Sequence, residues 1–134
     1  MEQIVVLVRQ LRRIALFKIS MRMLVITLML LGIWVATKKL EFPPDVNIND
    51  KLIHIVVFFG FAVLVDLSSS RKPFWLWKGL PLLSYGIGIE VLQYLTPFRS
   101  FSIMDMLADF VGIFVYFLLK KAVLFIVNHN TEYR

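Results

Sequence analysis

Continuous apolar runs constrain this chain more than any other feature of its sequence. Four are present, at residues 23–37, 52–67, 74–95 and 103–127. They are unbroken rather than alternating, so membrane strands are not expected. A helical span needs about 20 apolar residues, within roughly 17–25. The third and fourth runs meet that length. The first two are short, and snorkelling of Arg22, Lys38 and Lys51 lengthens them. The 134 residues are 59% hydrophobic and only 18% charged, with mean hydropathy +0.77. A soluble domain of this size cannot cover that much apolar surface. The expected fold class is all-α: an integral membrane four-helix bundle, with no room for a second globular domain.

Residues 1–20 read as a separate piece. Arg9, Arg12 and Arg13 share one helical face, and Val8, Leu11 and Ala15 another. This predicts a basic amphipathic interfacial helix over 1–20, leading into a membrane domain over 21–134. A secretory signal is the weaker alternative, because no small-residue cleavage site follows the first apolar run. Net charge is +6. The basic residues sit in short segments between apolar runs, which points to orientation and anionic lipid and not to nucleic acid. They concentrate before the first run, in the second connection (Arg71, Lys72, with Lys78 nearby) and at the C-terminal end. The positive-inside rule then places both termini and the second connection in the cytoplasm. Asp66 reads as a solvated helix end on that side. No cysteine is present, so disulfide and thiolate chemistry are excluded.

The outer connections carry their own signals. Residues 41–50 are turn-rich and read as a loop, with Asn49 or Asp50 placed to cap the second helix. Pro97 ends the third helix. Ser102 suits the N-cap of the fourth, with Asp105 three residues on as in a capping box.

The chemistry-bearing residues gather at this outer set of ends. Lys51, His54, Glu90, Gln93, Arg99, Ser102, Asp105 and Asp109 form the candidate binding cluster. Ionisable groups at that depth are costly, which makes them candidates for function. Helical spacing puts Gly86, Glu90, Gln93 and Pro97 on one stripe, and Asp105, Asp109 and Gly112 on another. The small-xxx-small pairs Ala108/Gly112 and Ser84/Gly88 would let helices approach closely. Three carboxylates beside one Lys, one Arg and one His make sense only as a network, so Arg99 is expected to pair with Glu90, Asp105 or Asp109. His54 is expected to hydrogen-bond Glu90 or Asp105. A metal site built from His54, Glu90, Asp105 and Asp109 lacks any supporting His or Cys pair, so neither metal nor cofactor is expected.

The segments Asp50-Lys51-Leu52-Ile53-His54, Glu90-Val91-Leu92-Gln93, Arg99 with Ser102, and Asp105-Met106-Leu107-Ala108-Asp109-Phe110-Val111-Gly112 together resemble the VanZ-like family. The family pattern is roughly Lys-x-x-His, Glu-x-x-Gln, and Arg followed by Asp-x-x-Ala-Asn-x-x-Gly, and the resemblance covers about residues 30–125. Asp109 stands where the family usually has Asn. Tyr116 stands where a second Gly is frequent, which implies looser packing towards the cytoplasmic half of the last helix. The resemblance implies a small bacterial envelope protein. The family's founding member is associated with resistance to teicoplanin, a lipid-tailed glycopeptide.

Two function classes follow. The first is a non-catalytic protein of the bacterial cytoplasmic membrane that binds or shields a lipid-linked envelope precursor or a lipoglycopeptide at the outer leaflet. Its partners are membrane lipids and that molecule. The alternative is a small intramembrane enzyme acting on a phosphate-bearing lipid head group, with a carboxylate or His54 as base. A closed, packed cluster favours the first, and an open, hydrated pocket the second.

The orientation is directly testable, because the chain has no native cysteine. With Asp45→Cys, a membrane-impermeant maleimide added to intact cells is expected to label the protein. With Ser70→Cys it is expected not to. The reverse pattern overturns the orientation.

Overall fold

The computed structural model describes residues 2–38, 49–97 and 101–132. Among these residues the chain is helical and contains no strand. Helix α1 spans Glu2–Ala36, α2 Asp50–Ser68, α3 Leu80–Tyr94 and α4 Ile103–Glu132. Segments of three helices are long and apolar enough to cross a membrane: Arg9–Ala36, Asp50–Ser68 and Ile103–Asn130. Helix α3 is shorter, at 15 residues. It is entered through a π-helical turn, Trp75–Gly79, and the two together approach 30 Å in length. Pro81 accounts for the turn. It has no N–H to offer the carbonyl of Trp77, and its ring crowds that carbonyl. Just before it, the Leu80 N–H reaches back to the Trp75 carbonyl, five residues away.

Residues 2–20, expected as a separate interfacial helix, are the first half of one continuous helix, α1, and the span-like segment of that helix already begins at Arg9. The sequence explains the continuity, since neither Gly nor Pro occurs before Gly32. The predicted caps are present. The Asn49 side chain accepts from Leu52 N at 3.4 Å, and Ser102 Oγ accepts from Asp105 N at 3.2 Å. Apart from Asn49 and Asp50, the loop expected over 41–50 lies outside the described residues.

The helices run up-down-up-down. The C-terminal end of α2 and the middle of α1 meet where Lys18 Nζ donates to Ser70 Oγ (2.7 Å) and Arg22 Nε to the Ser68 carbonyl (3.1 Å). Helices α2 and α4 are parallel, since His54 meets Asp109 near their starts and Asp66 meets Lys120 further along both, and they make the most extensive contact in the bundle. Gly112 is why they can. A Cβ at that position would collide with the Ile55 carbonyl oxygen and lie 2.9 Å from the Phe59 nitrogen, both backbone atoms of α2. The Ala108/Gly112 stripe thus behaves as expected. The Ser84/Gly88 stripe does not. Both residues are exposed, no atom lies near a Cβ at Gly88, and Ser84 Oγ bonds its own helix at Leu80 O. Gly86 takes that role instead, since a Cβ there would strike the Asp109 carboxylate and approach Phe58.

A small core of Phe58, Phe61, Ala62, Phe74, Leu82 and Ile113 fills the middle, with Tyr85 and Tyr116 packed against it. Tyr116 corrects the expectation of looser packing. Its ring sits edge-on to Phe59 at 5.9 Å and its hydroxyl donates to Asp66 at 2.6 Å, so the larger side chain fills the space. The outer surface is apolar instead of charged, with Leu30, Val56 and Phe125 each more than 60% exposed. Such a surface suits lipid and not water. Lipid is as apolar as these side chains, so the core is held by dispersion and hydrogen bonds more than by hydrophobic transfer.

Gly112→Ala is expected to push α2 and α4 apart, at a cost of about 1–3 kcal/mol from overpacking. Gly88→Ala meets no neighbour and is expected to be neutral. Thermal unfolding of the detergent-solubilised variants measures both, and equal stability of the two disproves the close-approach role of Gly112.

Candidate functional site

The predicted stripes converge at the ends where α2 and α4 begin. Glu90 is fully buried, and Asp109, Asp105 and Gln93 retain 2%, 6% and 7% exposure. Pro97, at the end of the third-helix stripe, is exposed. Arg99 lies outside the described residues, and so does its expected pairing.

Each buried group has a structural origin. Glu90 Oε2 accepts the backbone N–H of Ser102 at 3.0 Å. In a capping box that N–H would go to the carboxylate three residues into the helix, here Asp105. Glu90 reaches across from α3 and takes it, which leaves the Asp105 side chain to face α2. There Asp105 Oδ1 lies 3.9 Å from Lys51 Nζ. That distance is within ion-pair reach but beyond a hydrogen bond. Lys51 is exposed, so the pair contributes little, about 0–1 kcal/mol.

His54 and Asp109 make the closest polar contact of the site, with Nδ1 and Oδ1 at 2.8 Å. The partner is Asp109, not the expected Glu90 or Asp105. Close approach at Gly112, one turn below Asp109, brings α4 within reach of His54. Gly86 leaves room for the Asp109 carboxylate against α3. The imidazole also stacks over Phe58, with ring centroids 6.5 Å apart and nearly parallel. Among the described residues, two buried oxygens have no hydrogen-bond partner: Glu90 Oε1 and Asp105 Oδ1. A buried polar atom without a partner is costly, more so away from water.

One set of described residues has the spacing to hold a metal ion. Ligand atoms of Asp50, His54 and Asp105 lie within 4.8 Å of one another. It differs from the four-residue set weighed on sequence. Glu90 is committed to the start of α4, and Asp109 holds Nδ1 of His54. An Asp that fixes one imidazole nitrogen also orients the other, as carboxylates behind metal-ligating or catalytic histidines do.

The sequence of the VanZ/LLP1 family matches residues 5–126 of this chain. The chain belongs to the VanZ/LLP1 family. The match reaches from the first turns of α1 to late α4, so the family unit includes the whole bundle and most of the N-terminal segment. No curated protein and no solved structure gives a significant match. Family membership and span-like helices together establish a VanZ-like membrane protein.

Sequence reasoning missed a second polar cluster in this VanZ/LLP1 member, at the opposite end of the bundle. Asp66, expected as a solvated helix end, is instead the hub of a partly buried network. Its Oδ1 accepts from Lys78 Nζ at 2.5 Å. Its Oδ2 accepts from Lys120 Nζ at 2.5 Å and from the Tyr116 hydroxyl at 2.6 Å. The signal was available. Asp66 lies inside the second apolar run, and Lys78 lies inside the third.

Asp109→Asn keeps a hydrogen-bonding side chain of the same size beside His54, and it restores the residue usual in the family. It is expected to change stability by less than about 1 kcal/mol. Asp109→Leu orphans His54 and is expected to cost about 2–3 kcal/mol. Thermal unfolding in detergent distinguishes them, and equal losses disprove the positioning contact.

Proposed function

We propose that this protein binds the polar head of a lipid-linked envelope precursor or lipid-tailed glycopeptide at the outer leaflet of the bacterial cytoplasmic membrane, and shields it. In this reading both termini are cytoplasmic and the Glu90 cluster faces outward. One observation carries the proposal: buried acceptors without a hydrogen-bond partner, Glu90 Oε1 and Asp105 Oδ1, beneath a helix-end surface. Acceptors of this kind match ammonium and hydroxyl groups of a sugar or peptide head, and exposed Lys51 at the rim suits its phosphate. The apolar flanks of α2 and α4 accept the acyl tail. The outer connections are too short to form a binding domain of their own, so recognition falls to the helix ends. The closed packing of the cluster supports binding over turnover.

The His54–Asp109 pair favours a second reading, in which His54 is the base of an enzyme acting on a phosphate-bearing lipid head group, with Lys51 and Arg99 holding the phosphate. Release of a head group by the purified protein, lost in His54→Gln, would decide for it.

The binding reading is tested by expressing the chain in a teicoplanin-sensitive Gram-positive host. The wild-type chain is expected to raise the inhibitory concentration severalfold. Glu90→Gln removes one charge with little change in volume and is expected to abolish the rise. Arg9, Arg12 and Arg13 changed together to Gln are expected to keep it. Membrane levels of each variant are matched by immunoblot. No protection by the wild-type chain, or full protection by Glu90→Gln with loss in the triple variant, overturns the proposal.

A further inference from the structure

The second polar cluster opens on a cavity of about 240 Å³, at the end of the bundle away from Glu90. Its walls include Arg71, Lys72, Lys78 and Lys120, the hydroxyl residues Ser69 and Ser70, and one carboxylate, Asp66. Lys18 reaches the same place through its bond to Ser70 Oγ. Positive charge therefore far exceeds negative charge around one small space.

The floor of this cavity is built. The Lys78 side chain is 4% exposed and that of Lys120 32%. Both lysines contact Asp66, yet a single carboxylate balances only one of them. Lys78 spends a further N–H on the Ser69 carbonyl at 2.6 Å. A lysine ammonium has three donors, so among the described contacts Lys78 keeps one and Lys120 two. Arg71 is held at the rim with its guanidinium 4.7 Å above the Trp77 ring. The arrangement presents fixed donors and uncompensated positive charge to whatever enters.

We propose that this cavity holds the phosphate of an anionic membrane phospholipid. Phosphate suits it because several N–H and hydroxyl donors converge there around a charge deficit. Size agrees. The volume is that of about eight water molecules at roughly 30 Å³ each, enough for a phosphate with a glycerol-sized substituent. Lipid is preferred over free phosphate because Leu67 and Trp77, next in sequence to Asp66 and Lys78 of the lining, expose apolar side chains along which acyl chains can lie. Basic pockets between membrane helices recognise anionic head groups on the same physical grounds. The site is separate from the Glu90 cluster and does not depend on its function.

Native mass spectrometry of the full-length chain, released from detergent with phosphatidylglycerol or phosphatidylcholine, tests it. The wild-type protein is expected to retain phosphatidylglycerol with about tenfold preference. Arg71→Gln with Lys72→Gln changes two exposed residues outside the Asp66 network, so folding is preserved, and Lys120→Gln alters the floor. The preference is expected to fall at least severalfold in one or both. Arg9, Arg12 and Arg13 changed together to Gln remove more charge away from the cavity and are expected to leave it intact. Overturning results are equal retention of the two lipids, a preference unchanged in both cavity variants, or an equal loss in the N-terminal triple variant, which would show diffuse attraction. Inorganic phosphate is the second probe. If it displaces phosphatidylglycerol at comparable concentration, the cavity is a free-phosphate site and the lipid assignment fails.

Discussion

At Gly112 the backbone of α2 occupies the space where a side chain would be, and the polar architecture follows from that contact. Two parallel helices are brought close enough that polar side chains reach across. His54 meets Asp109 on one side of the glycine, and Asp66 meets Tyr116 and Lys120 on the other. A methyl group at 112 would act on both ends at once, because all these bonds share one interhelical distance.

The two ends solve the problem of buried charge differently. At the Glu90 end, carboxylates outnumber cations among the described residues. They are dispersed over a helix start, an imidazole and an exposed lysine. At the Asp66 end the imbalance is reversed, and one carboxylate serves two lysines and a tyrosine. Neither end is an isolated ion pair. Each leaves bonding capacity that the described protein contacts do not use: acceptors at one end, donors at the other.

The helices are legible in the sequence because lipid imposes length and hydrophobicity on a span. The caps at Asn49 and Ser102 are legible because side-chain oxygens at helix starts have one dominant use. The stripes are also correct as faces, placing Glu90, Gln93, Asp105 and Asp109 inside. Faces, however, fix rotation and not axial offset. The offset of α4 against α2 is set by backbone contact at Gly112, and it decides that His54 meets Asp109 and not Asp105. Glu90 bonding the Ser102 N–H depends likewise on where a neighbouring helix ends. Asp66 and Lys78 were visible as interruptions of apolar runs. Their pairing across twelve residues requires the turn between α2 and α3, which no periodicity encodes. Tyr116 shows the same limit, since a missing glycine does not reveal which neighbour the larger side chain will join.

Along α2, His54 and Asp66 are twelve residues apart, roughly 18 Å of helix rise. Between them lies the dry layer of Phe58, Phe61 and Ala62. The hydrocarbon of an ordinary bilayer is about 30 Å thick. This bundle therefore offers a shorter apolar path through its centre than the lipid around it. The lipid-facing surface is not shortened, since α4 is apolar over Ile103–Asn130, so the thin layer belongs to the interior alone and separates two polar clusters of opposite charge balance by little more than half the thickness of a bilayer.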